Sequence, residues 1–287
     1  MSTQFKTATD FRKSLGARLQ ALAEKTGEDL QRLRRKVAFD RFLARIFHQG
    51  RSEFYLKGGY AMELRIAHAR ATKDIDLTYT GRIKSDDELL SELILGDLQT
   101  LARLDLKDQF TYQIGKPLID LDNAPYGGAR YSVTSLIDGK LFVRFQLDVG
   151  ADFLLDQIEA IQGTDWLSFC GILAPTMSMI SVEQQFAEKL HAYTLPRVER
   201  VNSRTQDLID MVLLLNIRNP TQEKISQTIQ DVFRQRATHP LPQTLNPPPS
   251  SWKTHFETLA TECGLSTDMD THFNRISTFY TALKVHP

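Results

Sequence analysis

Apolar residues recur along the chain at two spacings, one typical of helices and one typical of strands. The helical spacing is found in six segments, at 8–24, 28–48, 60–68, 86–104, 181–193 and 204–215. Short apolar runs at 54–56 and 74–79 predict strands, and the composition turns helical after Pro175. Two more short helices are expected after residue 250.

The clearest strand signal lies at 131–149. Two runs rich in β-branched and aromatic residues, 131–137 and 140–149, flank an Asp-Gly pair at 138–139. Such a pair between two strand patterns predicts a tight hairpin. The proline-rich segment 239–250 predicts an extended connector rather than packed structure.

Together these elements predict an α+β fold, with a mixed sheet near the middle and helices before and after it. We divide the chain into N-terminal helices (1–49), a core containing the sheet (50–175) and a helical C-terminal domain (176–287).

Composition narrows the class of protein. Hydrophobic residues make up 41% and charged residues 24%, which is typical of a globular protein. No apolar run is long enough to span a bilayer, and residues 1–15 have no apolar signal region. The two cysteines, Cys170 and Cys263, are far apart and predict neither a disulfide framework nor a zinc site. A reducing, cytoplasmic location and no membrane partner are therefore expected.

The formal net charge is zero, so the chain as a whole is not strongly attracted to nucleic acid. Basic residues are nevertheless concentrated in two stretches. They are Arg32, Arg34, Arg35, Lys36, Arg41 and Arg45 in the first, and Arg197, Arg200 and Arg204 in the second. Two interpretations stay open for these stretches: a solvated helix face, or a surface that faces RNA.

A glycine pair followed by an Asp-x-Asp pattern is the strongest chemical signal. Lys57-Gly58-Gly59 ends a predicted strand and starts a helix, where backbone N–H groups can approach a phosphate. Asp74 and Asp76 lie on one face of the next strand, because side chains alternate. Two carboxylates side by side suit Mg²⁺.

A third carboxylate is expected on a neighbouring strand, and Asp148 near the end of the predicted strand 140–149 is the candidate, as a metal ligand or a general base. Each feature alone has a simpler interpretation. A glycine pair is usually a turn, an isolated Asp-x-Asp is usually a solvated strand end, and Asp148 could cap a turn. The combination in this order favours a phosphate-transfer site.

Residues 55–65 (YLKGGYAMELR) and 70–77 (RATKDIDL) resemble the signature of the AbiEii-type nucleotidyltransferase toxins. These are toxin components of type IV toxin–antitoxin and phage abortive-infection systems, in the DNA polymerase β-like nucleotidyltransferase superfamily. A second block, 186–192 (FAEKLHA) and 204–210 (RTQDLID), resembles the helical motifs of the same family. The resemblance covers roughly residues 50–216.

The resemblance implies a polymerase β-like nucleotidyltransferase core followed by a helical domain. It implies that Asp74, Asp76 and Asp148 bind Mg²⁺ or Mn²⁺ and are catalytic, and that Lys189 contacts the triphosphate. Asp207 would orient or balance that lysine. The residues implied to bind the nucleotide are Lys57, Gly58, Gly59, Thr72 and Lys189. One departure from the family is Gln206, where a lysine is frequent.

The function implied is transfer of NMP from an NTP to RNA, with the 3′ end of tRNA as acceptor and growth arrest as the outcome. A cognate antitoxin would be a partner. Two alternatives stay open: nucleotidylation of a protein or small-molecule hydroxyl, and a non-catalytic module that binds nucleotide or antitoxin.

Overall fold

The computed structural model describes residues 5–50, 52–81, 87–120, 126–154, 156–196, 204–217 and 221–283. The predicted basic residues Arg197 and Arg200 lie outside these ranges.

The chain divides into two compact units. The first, which we call the sheet unit, comprises residues 1–64, 71–153 and 160–179, and the second, the helical unit, comprises residues 65–70, 154–159 and 180–287. The three-domain division expected from the sequence stays a prediction.

Nine α-helices are found in the described ranges. They are α1 (Ala8–Thr26), α2 (Leu30–Ile46), α3 (Gly58–Arg65), α4 (Asp87–Ala102), α5 (Val182–Thr194), α6 (Thr205–Ile217), α7 (Gln222–Arg236), α8 (Lys253–Glu262) and α9 (Met269–Ala282). None of the helices in the described residues is both long enough and apolar enough to cross a membrane. Most of the helices predicted from spacing are present within a few residues of their expected ends, and α7 is an addition.

Seven strands form one mixed sheet in the order β3-β4-β5-β2-β1-β7-β6. They are β1 (Phe54–Lys57), β2 (Asp74–Tyr79), β3 (Phe110–Asp120), β4 (Gly128–Ile137), β5 (Lys140–Ala151), β6 (Glu159–Gln162) and β7 (Thr176–Met179). The pair β2–β5 is parallel, whereas β3–β4, β4–β5 and β1–β2 are antiparallel. The predicted α+β class with a mixed sheet is therefore confirmed.

The hairpin between β4 and β5 has the tight turn that the Asp-Gly pair predicts. Asp138 and Gly139 both have positive φ, 58° and 65°. These angles are those of a type I′ turn, which needs residues that tolerate the left-handed region. The turn fixes the register next to it, and an irregularity between Ser135 and Leu136 then shifts the pairing by one residue, so that Arg130 lies opposite Asp148.

One face of the sheet packs against helices of the sheet unit. α2 contacts β5 and β7, α4 contacts β3 and β4, and α1 contacts β4. Phe39 and Phe42 of α2 meet Phe145 of β5 at ring-centroid distances of 4.8 and 5.7 Å. The apolar positions of β2, including Ile75 and Leu77, are fully buried on this face. Consequently, the alternate positions of the same strands face outward.

Four of the six residues of the first basic stretch make ion pairs within the protein. Arg41 and Arg45 are buried and both pair with Asp108, which is also buried. Arg32 and Lys36 pair with acidic side chains near α2. For these four residues the charge is used in internal ion pairing, and an RNA contact of the stretch stays a prediction.

Two expectations of the sequence analysis were wrong in detail. The segment after Pro175 begins with a strand, because Leu56 of β1 pairs in parallel with Met179 of β7. The proline-rich segment 239–250 has little regular structure, but it is packed: Leu241 and Leu245 are buried. Prolines prevent a regular element there without preventing apolar side chains from being buried.

The helical unit is built around α5 and α6. α5 contacts α6 and α7, and α6 also contacts α8 and α9. The buried stretch 208–215 of α6 is apolar apart from Asp210. A charged side chain in such a position requires partners, which are described with the site below.

Candidate active site

The three predicted carboxylates of the sheet unit lie on the same outer face. Asp74 and Asp76 are two positions apart on β2, and both are half-buried while Ile75 and Leu77 are buried. In the parallel β2–β5 pair, Asp76 lies beside Asp148. Strand alternation and register therefore bring together side chains that are far apart in sequence.

The glycine turn lies directly against Asp76. Gly58 has φ +66°, and a Cβ built there would lie 1.9 Å from Oδ2 of Asp76. No side chain larger than that of glycine fits without moving this carboxylate. The backbone N–H of Gly59 donates a hydrogen bond to the same oxygen, 3.3 Å away. Because α3 begins at Gly58, the Asp76 carboxylate lies at the N-terminus of a helix, where negative charge is stabilised.

Asp148 is directed away from the glycine turn, towards β4. Its two oxygens accept hydrogen bonds from Nε and one terminal nitrogen of Arg130, at 2.6 and 2.7 Å. Both side chains keep some solvent exposure, 17% for Asp148 and 30% for Arg130. The hydrogen bond to Asp148 raises the pKa of Arg130 above its ordinary value, so the arginine stays charged.

The Asp74 carboxylate has the fewest partners of the three. Within the described ranges, no side chain or backbone group donates a hydrogen bond to it. Burial raises the pKa of Asp74 and the charge of Asp148 raises it further, while Arg130 and Lys73 oppose the shift. A half-buried carboxylate without donors is destabilised unless a cation or donor completes its surroundings.

These surroundings fit a divalent ion held by two carboxylates. No group of three or more His, Cys, Asp or Glu side chains is placed to hold a metal within the described residues. Mg²⁺, however, usually takes one or two carboxylates and completes its shell with water and substrate phosphates. Asp74 and Asp76 provide such a pair. Because Arg130 holds Asp148, a metal role for Asp148 stays a prediction.

Lys57 and Thr72 flank the carboxylates. Lys57 of β1 lies opposite Asp76 in the antiparallel β1–β2 pair, so Lys57, Asp76, Asp148 and Arg130 form one row across four strands. Thr72 donates its backbone N–H to Glu63 and its hydroxyl to the backbone oxygen of Asp74, 3.4 Å away. The contacts of both residues with a nucleotide stay predictions.

The predicted lysine and aspartate of the second sequence block lie in the helical unit. Nζ of Lys189 is 2.7 Å from Asp210 and 3.3 Å from Asp207. Arg70 donates two hydrogen bonds to Asp210, at 2.8 and 3.0 Å. Arg204 pairs with Asp207 at 3.4 Å. The motif predicted Asp207 as the partner of Lys189, whereas the closer partner is the fully buried Asp210.

Opposite charges keep this network ionised. Burial lowers the pKa of Lys189, but the charges of Asp210 and Asp207 outweigh it and leave the pKa raised. Burial likewise raises the pKa of Asp210, while Lys189 and Arg70 bring it below the ordinary value. The spacing of Asp207 and Asp210, three residues apart on α6, was the sequence signal for both partners. The contact of Lys189 with a triphosphate stays a prediction.

Comparisons with known proteins agree with the motifs. A family model described as nucleotidyl transferase AbiEii toxin, type IV TA system, matches residues 41–276. A solved structure of MenT4, a nucleotidyltransferase toxin from Mycobacterium tuberculosis, is similar in fold: TM-score 0.54, 16% identity, 94% of this chain and 98% of that chain covered. JHP933 from Helicobacter pylori aligns with TM-score 0.45 and 14% identity, over 88% of this chain and 91% of that chain. A search of curated proteins found no significant match.

Proposed function

Because this chain belongs to the AbiEii family of nucleotidyltransferase toxins, we propose that it transfers NMP from an NTP to a hydroxyl of RNA, with the 3′ end of tRNA as the acceptor. The reaction depends on Mg²⁺ or Mn²⁺, takes place in the cytoplasm and arrests growth, as in abortive infection. A cognate antitoxin restrains the protein.

One observation carries this proposal. Asp74 and Asp76 lie side by side on the outer face of β2, and the described residues give Asp74 no hydrogen-bond donor. The interior carboxylates of the same unit, by contrast, are saturated with donors. Beside Asp76, the start of α3 supplies closely placed backbone N–H groups. A pair of this kind next to a helix N-terminus suits a cation together with a phosphate.

The residues of the chain then have distinct roles. Asp74 and Asp76 hold the divalent ion, which when bound neutralises charge on the phosphates and polarises the α-phosphate. Lys57, Gly58, Gly59 and Thr72 position the triphosphate. Asp148, in the same row as Asp76, takes the proton of the acceptor hydroxyl, whose oxygen forms the new bond to the α-phosphorus while the bond to pyrophosphate breaks and pyrophosphate leaves. Catalysis is chiefly positioning and electrostatic stabilisation.

Lys189 is proposed to contact the triphosphate, with Asp207 and Asp210 keeping its ammonium group charged and in place. Arg70 shares Asp210 with Lys189, so it fixes the carboxylate against which the lysine is held. The four side chains of this network therefore act as one electrostatic group.

The test is incorporation of label from each α-³²P NTP into total tRNA with Mg²⁺. Asp74→Ala is expected to lower the rate by about 10²- to 10³-fold, the range seen when one preorganised electrostatic contact is removed. Asp105→Ala is the matched control, because Asp105 is 66% exposed and belongs to no part of the site. Undiminished labelling by Asp74→Ala would refute the metal assignment.

The same assay separates the remaining alternatives. Label on protein or on a small molecule, with none on RNA, would assign a different acceptor to the same site. NTP binding without transfer to any component of a cell extract would indicate a non-catalytic module.

A further inference from the structure

Strands β4 and β5 present a polar face to solvent. Their buried face carries Tyr131, Val133, Phe145 and Leu147. On the carboxylate side of the irregularity between Ser135 and Leu136, the alternate positions face outward and are polar: Arg130, Ser132, Thr134, Arg144 and Gln146. Ser132 and Arg144 are exposed, and the other three are partly exposed. This face is therefore accessible to a partner along its length.

The polar face begins at the carboxylates. Gln146 lies beside Asp74 on β2 and opposite Ser132 on β4, so it occupies the row next to Asp148. Arg144 and Thr134 form the following row. Successive rows on one face are about 7 Å apart, so Arg144 lies about 13 Å along the strand from Asp148. An extended chain with its end at the carboxylates would follow these rows.

The charges of this face complement a polyanion. Asp148 is the one acidic residue in the sequences of β4 and β5, whereas both Arg130 and Arg144 face outward from them. Apart from Asp148, the outward side chains of β4 and β5 named above are thus neutral or positive. Arginine matches phosphate particularly well, because its planar fork donates two parallel hydrogen bonds.

The strand order separates the two substrates. In the sequence β4-β5-β2-β1, the glycine turn follows β1 on one side of the carboxylates and Arg130 lies on β4 at the other side. The proposed function places the nucleotide phosphates at the glycine turn. The β4 side is then left for the acceptor, whose hydroxyl must reach the α-phosphate from the direction opposite to the leaving group.

We propose that the acceptor RNA lies along this outer face of β4 and β5, and that its phosphates bind Arg130 and Arg144. Without RNA, Arg130 holds both oxygens of Asp148. A backbone phosphate takes over the fork of Arg130 and releases Asp148 to accept the hydroxyl proton. Arg130 therefore couples the arrival of the acceptor to the availability of the base. This inference rests on the proposed RNA acceptor.

The test measures binding of a fluorescein-labelled single-stranded RNA 12-mer by anisotropy, without NTP, over a series of salt concentrations. Arg130→Met and Arg144→Met are each expected to weaken binding about three- to tenfold. Each should also reduce the slope of log affinity against log salt by about 0.7, the value for one phosphate contact on a single strand. For Arg144→Met, the KM for NTP should stay within about twofold of that of the wild-type protein.

Lys25→Met is the charge-matched control, because Lys25 is exposed in the last turn of α1, and it should leave both affinity and slope unchanged. Thermal unfolding shows whether each variant is folded. Arg130→Lys keeps the charge and should restore the salt slope without restoring the full affinity.

The possible failures can be told apart. Wild-type protein that neither binds nor labels RNA refutes the proposed function and this inference with it. Wild-type protein that labels RNA, together with arginine variants of unchanged affinity and salt slope, refutes only the acceptor surface. A raised KM for NTP with unchanged RNA binding would assign Arg130 to the nucleotide instead.

Discussion

The sheet unit contains two sets of aspartates with opposite surroundings. Asp40 and Asp108 lie in the interior and are 0% exposed. Asp74, Asp76 and Asp148 lie on the outer face of the sheet and are half-buried. The side chains are chemically identical, so the difference in their roles follows from the donors that the fold provides.

The interior set is saturated by fixed donors. Both oxygens of Asp108 accept hydrogen bonds from arginines, one from Arg41 and two from Arg45. Asp40 accepts from the hydroxyl of Tyr60 and from two N–H groups of the segment 164–166. A buried carboxylate whose donors all belong to the fold has a structural role, because removing either the carboxylate or a donor leaves the other buried without a hydrogen-bond partner.

The outer set has more exchangeable donors. Asp76 accepts a long hydrogen bond from Gly59, and Asp148 is held by the partly exposed Arg130. Asp74 receives none from the described residues. A partly exposed carboxylate that lacks donors is a better candidate for ligand binding than a deeply buried one whose donors are all in place.

The largest effect should come from truncating the interior set. Asp108→Ala leaves Arg41 and Arg45 buried without their counter-ion, and it should lower the free energy of unfolding by about 3–5 kcal/mol. Asp148→Ala breaks a partly exposed pair and should cost about 1 kcal/mol or less. Urea denaturation followed by circular dichroism measures both. Similar losses in the two variants would remove the distinction between the sets.

The second prediction concerns pH. Burial raises the pKa of Asp40 from 3.8 to about 6, against the hydrogen bonds that lower it. Between these values the unfolded chain ionises while the folded chain keeps the proton. Folded stability should therefore fall as pH rises through this window, by up to about 3 kcal/mol, and level off above it.

Asp40→Asn should abolish that fall while keeping the contacts. Its amide oxygen can accept from Thr164 and Trp166, and its amide group can donate to Tyr60, whose hydroxyl also lies 3.2 Å from the backbone oxygen of Lys36. The measurement is the difference in free energy of unfolding between variant and wild type at a series of pH values. A difference independent of pH would contradict the raised pKa.

The third prediction concerns the glycine turn. Gly58→Ala should cost about 1–3 kcal/mol through backbone strain and should displace Asp76. Gly139→Ala is the matched control, because Gly139 has nearly the same φ, +65°, but no atom within 4 Å of an added Cβ. Comparing the transfer rates of the two variants isolates the contact with Asp76. Equal rates would show that the position of Asp76 is unimportant.

Much of the fold could be predicted from local patterns. The alternation in β2, the Asp-Gly turn between β4 and β5 and the spacing in α2 and α5 each reflect one dominant physical rule, so the elements follow from a few residues. Asp74 and Asp76 could be assigned to one face for the same reason.

The remainder depends on contacts that local patterns do not record. β3 contains Gly115 and Pro117, which disfavour a strand, and β7 is only four residues long; each is a strand because a neighbour in the sheet pairs with it. Arg130 was missed because its partner Asp148 becomes its neighbour only through the hairpin register. The spacing on α6 placed Asp207 and Asp210 on one face but could not show which of them is closer to Lys189, because Arg70, which also binds Asp210, lies on a distant segment.

The parallel pairing of β2 with β5 also has a consequence for folding. Asp76 and Asp148 are neighbours in the sheet but 72 positions apart in sequence, from 76 to 148. Closing so long a loop is entropically costly, so parallel pairs of this kind form late. Until β5 has been synthesised, the chain lacks the strand that places Asp148 beside Asp76. The carboxylate row can therefore be complete only after β5, which ends at Ala151, has been made.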